Sequence, residues 1–275
     1  MHAMHARLPK HFVLEERLER YADAIEVCPA SYRGRWAQAC WPLGEPSADG
    51  AAAGTAAFDE VRVDLGCGKG SFVAASAHNA PNALFVGLDA EPLCMAYAAQ
   101  RIMEEGLRNA VVVPALGDAL PRIFAPGEVS VIHLNFPTPY PRKRDATRRL
   151  VALERLMDYR RVLAPGGTVR LRTDSQPLRD FTLTQLALAG YKVVYASEDE
   201  RADHPDEPTS EYEQRLCSQG ATVLGLWATP GPEPGNVTQT ASLSLVDYLP
   251  ESLFEGGYVP HGMEQTVYNL RRRKR

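Results

Sequence analysis

The stretch Val61-Arg62-Val63-Asp64-Leu65-Gly66-Cys67-Gly68-Lys69-Gly70-Ser71-Phe72 decides how the rest of the chain is read. Apolar residues alternate from Val61 to Leu65, which predicts a strand, and the Gly-x-Gly-x-Gly turn then opens a helix. Glycine there tolerates positive φ and lets backbone N–H groups approach a ligand at the positive end of a helix dipole. Nucleotide ligands of open α/β sheets sit at strand ends of this kind. A dinucleotide fingerprint would place its third glycine at position 71, which is Ser71. Here the third glycine comes early, at Gly70, and an acid, Asp64, lies inside the strand end.

That pattern resembles the first motif of S-adenosylmethionine-dependent methyltransferases, whose acid receives the cationic methionine end of the cofactor. Outward from it, strands and helices alternate. Leu84 to Ala90 reads as a second strand ending in Asp89, 23 residues after Gly66. That spacing suits an acid accepting from ribose hydroxyls, or else a cap on the helix predicted over 91–105. Val111 to Val113 is a third strand leading to Gly117-Asp118-Ala119, where an Asp accepts from an adenine amino group or caps a helix. Val129 to Leu134 is a fourth, running into Asn135-Phe136-Pro137-Thr138-Pro139-Tyr140-Pro141. Prolines fix φ and remove donors, so this is a rigid loop at a strand end. A tight turn over 163–168 precedes a fifth strand, Thr168 to Arg172, which ends at Thr173-Asp174. A helix over 176–189, a sixth strand over 191–196 and a last strand over 222–228 complete the pattern. The expected fold class is α/β, a doubly wound, seven-stranded, Rossmann-like sheet.

The chain has 275 residues, 45% of them hydrophobic, which suits one large domain with appendages. We expect an N-terminal region (1–57), a catalytic domain (58–229) and a C-terminal extension (230–275). With a formal charge of −4, any nucleic-acid footprint has to be local. Cys28, Cys40, Cys67, Cys94 and Cys217 are odd in number and form no Cys-x-x-Cys, so neither a disulfide framework nor a metal site is expected. No apolar run approaches the roughly 18 residues of a membrane helix, and the start MHAMHARLPKHF does not read as a secretory signal. A cytoplasmic protein without a membrane partner, monomer or homodimer, is the expectation.

Residues 14–26 predict an amphipathic helix with Leu14, Leu18, Tyr21, Ala22 and Ile25 on one face. Ser31 to Trp36 is basic and aromatic, suited either to RNA stacking or to packing on the domain. Residues 45–57 read as a small-residue linker. Between Pro141 and Arg161 eight cations face three acids, and five of the eight, Arg142, Lys143, Arg144, Arg148 and Arg149, crowd beside the expected cofactor mouth, where a polyanion would be held. The terminal cluster Arg271 to Arg275 adds salt-sensitive phosphate attraction.

Four motifs in order, DLGCGKGSF, GLDA, NFPTPYPRKRDATRRL and SEYEQR followed by Gly220, resemble the bacterial tRNA (guanine-N7)-methyltransferases. The resemblance runs from about Tyr32 to Ala228. It implies a class I S-adenosylmethionine-dependent enzyme acting on a variable-loop guanosine of tRNA. It implies cofactor contacts at Asp64, Gly66, Gly68, Gly70, Asp89, Ala90, Asp118, Ala119 and Asn135. It implies tRNA contacts at Arg142, Arg144, Arg148, Asp174, Ser210, Glu211, Tyr212 and Glu213, with Thr138, Asp174 and Glu213 nearest the chemistry. The family usually carries an acid at Thr138, His at Asp145, Thr at Ser210 and Glu at Asp64. Guanine N7 carries a lone pair and no proton, so its methylation demands alignment rather than a general base. The product is cationic, and Asp174, Glu211 or Glu213 would supply the negative field that Thr138 lacks. Methylation of another base, or a non-catalytic tRNA-binding role, are the alternatives.

Overall fold

Strands covered by helices on both faces require near-continuous apolar runs. Ala83–Asp89 (β2) meets that demand with six successive buried residues before Asp89. The computed structural model describes residues 12–40, 58–254 and 257–274. The expectations for the chain start, for the linker over 45–57 and for Arg275 lie outside those residues.

The other strands are Glu60–Leu65 (β1), Ala110–Pro114 (β3), Val129–Asn135 (β4), Leu163–Thr173 (β5), Tyr191–Ser197 (β6) and Leu224–Pro230 (β7). The helices are Leu14–Arg20 (α1), Trp36–Ala39 (α2), Ser71–Asn79 (α3), Pro92–Glu104 (α4), Leu120–Ile123 (α5), Leu153–Val162 (α6), Gln176–Leu188 (α7), Glu200–Asp203 (α8), Glu211–Ser218 (α9) and Glu264–Lys274 (α10). The seven strands form one sheet in the order β3-β2-β1-β4-β5-β7-β6. All neighbours are parallel except β7, which runs antiparallel to β5 and β6. The chain builds β1, β2 and β3 toward one edge and then returns to lay β4 on the far side of β1. Strand order reverses there, so a cleft opens at the carboxyl ends of β1 and β4.

Each face of the sheet has its own apolar layer. α3 and α4 press Val73, Ala77, Met95, Ala98 and Ile102 onto Phe85 and Val112. α5, α6 and α7 bring Leu120, Leu156, Tyr159, Leu178 and Phe181 against Val63, Val86, Ile132 and Leu171. The doubly wound, seven-stranded α/β fold is the one expected. Among the described residues, no helix is long and apolar enough to cross a membrane, and no group of three His, Cys, Asp or Glu side chains is placed to hold a metal ion.

Several local expectations differ from the structure. The helix over 14–26 stops at Arg20; the chain then turns, and Ile25 pairs with Val112 while Glu26 N–H donates to Val112 O (2.8 Å). That contact covers the open edge of β3, where unpaired backbone groups would otherwise invite association. Trp36 does not stand free for RNA: it is 0% exposed, its indole N–H donates to Ile123 O (3.0 Å), and it packs on Phe124. β5 begins at Leu163 rather than Thr168, and the intervening Pro-Gly-Gly is absorbed as a bulge between the pairs Val129↔Leu163 and Val131↔Thr168. The basic run opens as a short 3-10 turn, Lys143–Arg148, and the α-helix starts only at Leu153.

Gly70 decides how closely the turn after β1 sits on α4. It has φ 75° as the N-cap of α3, and a Cβ there would lie 2.7 Å from Ala98 Cβ and 2.9 Å from Ala98 Cα. The obstacle is backbone, so nothing can swing aside. Gly70→Ala is expected to lower unfolding free energy by roughly 2–4 kcal/mol, combining left-handed strain with overpacking. A shift in urea midpoint at unchanged slope checks this; an unchanged midpoint contradicts it.

Candidate active site

Four strand ends bring their acids and amides to the same edge. Asp64 lies at the end of β1, Asp89 at the end of β2, Asp118 on the turn after β3, and Asn135 at the end of β4. Asp64 is 2% exposed, and Asn135 Nδ2 donates to its Oδ1 (3.0 Å). Burial pushes the Asp64 carboxyl up to about 7; the Asn135 hydrogen bond opposes the rise, Asp89 adds to it and Arg172 opposes it. Asp89 braces the glycine turn: its Oδ2 accepts Gly68 N–H (3.0 Å) and its Oδ1 accepts Glu91 N–H (2.9 Å). Ala90 follows it, exposed. Asp118 is exposed and has no hydrogen-bond partner among the described residues, with Ala119 half-buried beside it.

The glycine turn differs from expectation in one respect. Four of its N–H groups are already engaged within the protein. Gly66 and Cys67 donate to Leu88 O, Gly68 to Asp89, and Gly70 to Cys67 O. A dinucleotide site needs such donors for its pyrophosphate. This turn offers room instead, because a Cβ on Gly68 would meet nothing within 4 Å. The opposite wall is Leu150, whose methyls approach both Gly66 and Gly117. Leu116, just before Gly117, keeps a large apolar side chain exposed. S-adenosylmethionine has an apolar-faced adenine, a ribose, a sulfonium, an ammonium and one carboxylate but no pyrophosphate, and an acid-lined cleft with an apolar wall fits its cationic and aromatic parts. Asn135 Oδ1 is buried without a partner among the described residues, an acceptor placed beside Asp64 where an ammonium group would bind. Asp64, Asn135, Asp89 and Gly68 would hold the group, which supplies an activated methyl bonded to a sulfonium.

The proline-rich loop stands on the other side of β4. Phe136 and Tyr140 adopt φ of 49° and 44°, unusual for side chains of that size. Phe136 N–H donates to Arg172 O (2.7 Å), and Arg149 clamps the far end through Pro139 O and Tyr140 O (2.9 and 2.7 Å). Thr138 is exposed on this loop. Arg142, Lys143, Arg144 and Arg148 are exposed beside it, and the Arg148 guanidinium covers the Tyr140 ring at 4.3 Å. Arg149 does not belong to that anion-facing set: it is 1% exposed and donates from Nε and Nη2 to the loop.

α9 supplies the third wall. Ser210 is its N-cap and accepts Glu213 N–H (3.0 Å), while Glu211 N–H donates to Ser71 Oγ (3.1 Å), tying α9 to the glycine turn. Glu211 is exposed and pairs with Arg101. The Tyr212 ring meets Phe136 at 5.8 Å, and burial pushes its phenol up to about 12. Glu213 departs from expectation. It is 2% exposed and held 2.7 Å from Arg201 without hydrogen-bond alignment, so it faces the protein interior rather than a substrate. Asp174 is half-buried after β5, and its Oδ2 accepts Tyr258 O–H (2.8 Å) and His261 N–H (2.9 Å). The sequence reading missed Tyr258, His261, Leu116 and Leu150; only the apolar character of Leu116 and Leu150 beside glycine turns was a usable signal.

A family profile described as "Putative methyltransferase" matches residues 59–226. Curated relatives agree with it. A tRNA (guanine-N(7)-)-methyltransferase of Geobacillus kaustophilus is 30% identical over 219 residues, covering 79% of this chain and 94% of that protein. Its namesake from Limosilactobacillus fermentum is 30% identical over 213 residues, covering 77% and 92%. Another, from Lactococcus lactis subsp. cremoris, is 28% identical over 216 residues, covering 78% and 93%.

Proposed function

The chain belongs to the tRNA (guanine-N7)-methyltransferase family, and from that premise we propose that it methylates tRNA guanine at N7, with S-adenosylmethionine as donor, choosing a variable-loop guanosine. The supporting observation is the juxtaposition of a cleft lined by Asp64, Asp89 and Asn135 with a rigid proline-rich loop flanked by exposed Arg142, Arg144 and Arg148. Those cations hold the tRNA backbone, and the loop and the Tyr212 face shape the pocket for one base turned out of its stack. Asp174 accepts from the guanine N1–H and N2 amino edge, which leaves N7 pointing at the cofactor cleft. Glu211, exposed at the start of α9 and partly compensated by Arg101, adds a smaller share to the negative field.

The chemistry asks little proton handling of these residues. N7 attacks with its own lone pair; the N7–carbon bond forms as the carbon–sulfur bond breaks, and no proton moves. Alignment supplies most of the acceleration, several orders of magnitude when the reactants are held in line. Positive charge passes to the guanine, where the carboxylates of Asp174 and Glu211 stabilise it. Thr138 contributes a hydroxyl and no charge, so the field comes from those acids rather than from the loop. Glu213 acts through Ser210 and Arg201, shaping α9 rather than touching the base. Residues 58–229 form the catalytic unit, all proposed contacts come from one chain, and tRNA places the work in the cytoplasm.

The variable-loop assignment is tested by transfer of labelled methyl groups to a tRNA transcript and to a copy with its variable-loop guanosine changed to adenosine. Label confined to the first supports the assignment. Equal label in both overturns it.

A further inference from the structure

Three consecutive residues of the C-terminal extension touch three walls of the proposed guanosine site. His261 donates its backbone N–H to Asp174 Oδ2, and its ring Nδ1 lies 2.6 Å from the Tyr212 hydroxyl. Gly262 sits so close to the proline-rich loop that a Cβ there would lie 3.1 Å from the Pro139 ring. Met263 is fully buried, and Ser175, next to Asp174, donates its O–H to the Met263 sulfur (3.3 Å). Tyr258 adds a second donor to Asp174 Oδ2. Burial and then the Asp174 hydrogen bond push the Tyr258 phenol up, so it keeps its proton and remains a donor. Tyr258, His261, Gly262 and Met263 all lie beyond the family profile, which ends at residue 226.

A carboxylate on a strand-end loop turns freely about two torsions unless something holds it. Two donors on a single oxygen fix both torsions and leave the other oxygen available. Asp174 Oδ1 has no partner among the described residues. His261 and Thr138 are both exposed, so the segment braces the mouth without sealing it. We propose that Tyr258 and His261 are positioning residues for the tRNA guanine. Tyr258 and the His261 backbone orient Asp174 toward the N1–H and N2 amino edge, and the His261 ring steadies Tyr212 against Phe136. This rests on the assignment of Asp174 to the guanosine site.

The test uses the full chain with tRNA and S-adenosylmethionine. Tyr258→Phe and His261→Ala are each expected to lower kcat/KM for tRNA by roughly fivefold to tenfold, the loss of one hydrogen bond to a polar group. Cofactor affinity stays within about twofold, because neither residue reaches that cleft. His261→Asn, whose amide replaces Nδ1 beside Tyr212, regains most of the loss, which mere loosening of the tail would not allow. Asp174→Ala is the control for the underlying assignment. If it abolishes transfer while Tyr258→Phe and His261→Ala match the wild type, the positioning role is overturned and the guanosine site stands. If Asp174→Ala is also without effect, both fall. Faster turnover in either tail variant overturns the proposal in favour of a cover over the site.

Discussion

Asp64→Asn is expected to raise the thermal stability of the protein while removing most of its affinity for S-adenosylmethionine. The carboxyl is buried, and burial drives it from the ordinary 3.8 up to about 7. A group whose folded-state pKa is raised contributes stability that is fully present below the unfolded value and lost as pH rises through the folded one. The wild type therefore loses stability between about pH 4 and pH 7, and the Asn variant does not. At about 1.4 kcal/mol per unit the gap has a ceiling of about 4 kcal/mol, which opens across that window and is flat above it. Asparagine has the same shape and still accepts from Asn135 Nδ2, so packing is preserved. What it lacks is charge. Pairing with the ammonium of the cofactor brings the carboxylate back to its ionised form, so wild-type affinity rises as pH climbs through about 7, whereas the variant binds about a hundredfold more weakly and without that pH dependence. Melting curves from pH 4 to 8, with cofactor titrations at pH 6 and 8, read both halves. A variant that melts lower, or binds as tightly as the wild type, contradicts the assignment of Asp64.

Arg149→Met is expected to cost about 3–5 kcal/mol of stability and nearly all tRNA methylation, with cofactor binding kept. The guanidinium lies over the Phe181 ring at 4.5 Å and serves two backbone carbonyls of the proline-rich loop. Burial lowers its pKa only to about 10, so it stays charged at neutral pH. Removing it leaves Pro139 O and Tyr140 O without their donor, beside two residues already strained at positive φ. Arg149→Lys recovers part of the loss, because an ammonium is a point donor and cannot span two carbonyls as a planar fork does. Denaturant midpoints and methyl-transfer rates for the two variants check the order wild type, Lys, Met. A Met variant with wild-type midpoint and rate contradicts the clamp.

Short-range pattern carries information about neighbours along the chain, and what was readable follows from that. The strand before Gly66, the acids at 64, 89 and 118 and the proline-rich loop are local features, and all of them lie at the carboxyl edge where the spacing puts them. Strand direction is not local, so the reversal of β7 between β5 and β6 left no mark in its composition. Burial of charge is not local either. Arg149 and Arg148 are adjacent cations in one run, yet one is sealed against Phe181 and the other stands in solvent over Tyr140. Glu213 is separated from Glu211 by one residue on α9, and helical geometry turns the two to different faces, one onto Arg201 and one toward Arg101. Trp36 beside Arg35 resembles a stacking platform until Phe124 and the Ile123 carbonyl are seen around it. The contact of Tyr258 and His261 with Asp174 joins residues 84 and 87 positions apart, beyond any periodicity argument.

On the proposed mechanism, alignment and the Asp174 and Glu211 field suffice for N7 methylation with a hydroxyl, that of Thr138, rather than a carboxylate on the proline-rich loop. Its most direct test is transfer of labelled methyl from S-adenosylmethionine to bulk bacterial tRNA by the purified protein, followed by digestion and nucleoside analysis. N7-methylguanosine is the expected labelled product. A protein that binds the cofactor yet labels no tRNA nucleoside, or one that yields N6-methyladenosine or N4-methylcytidine instead, would contradict it.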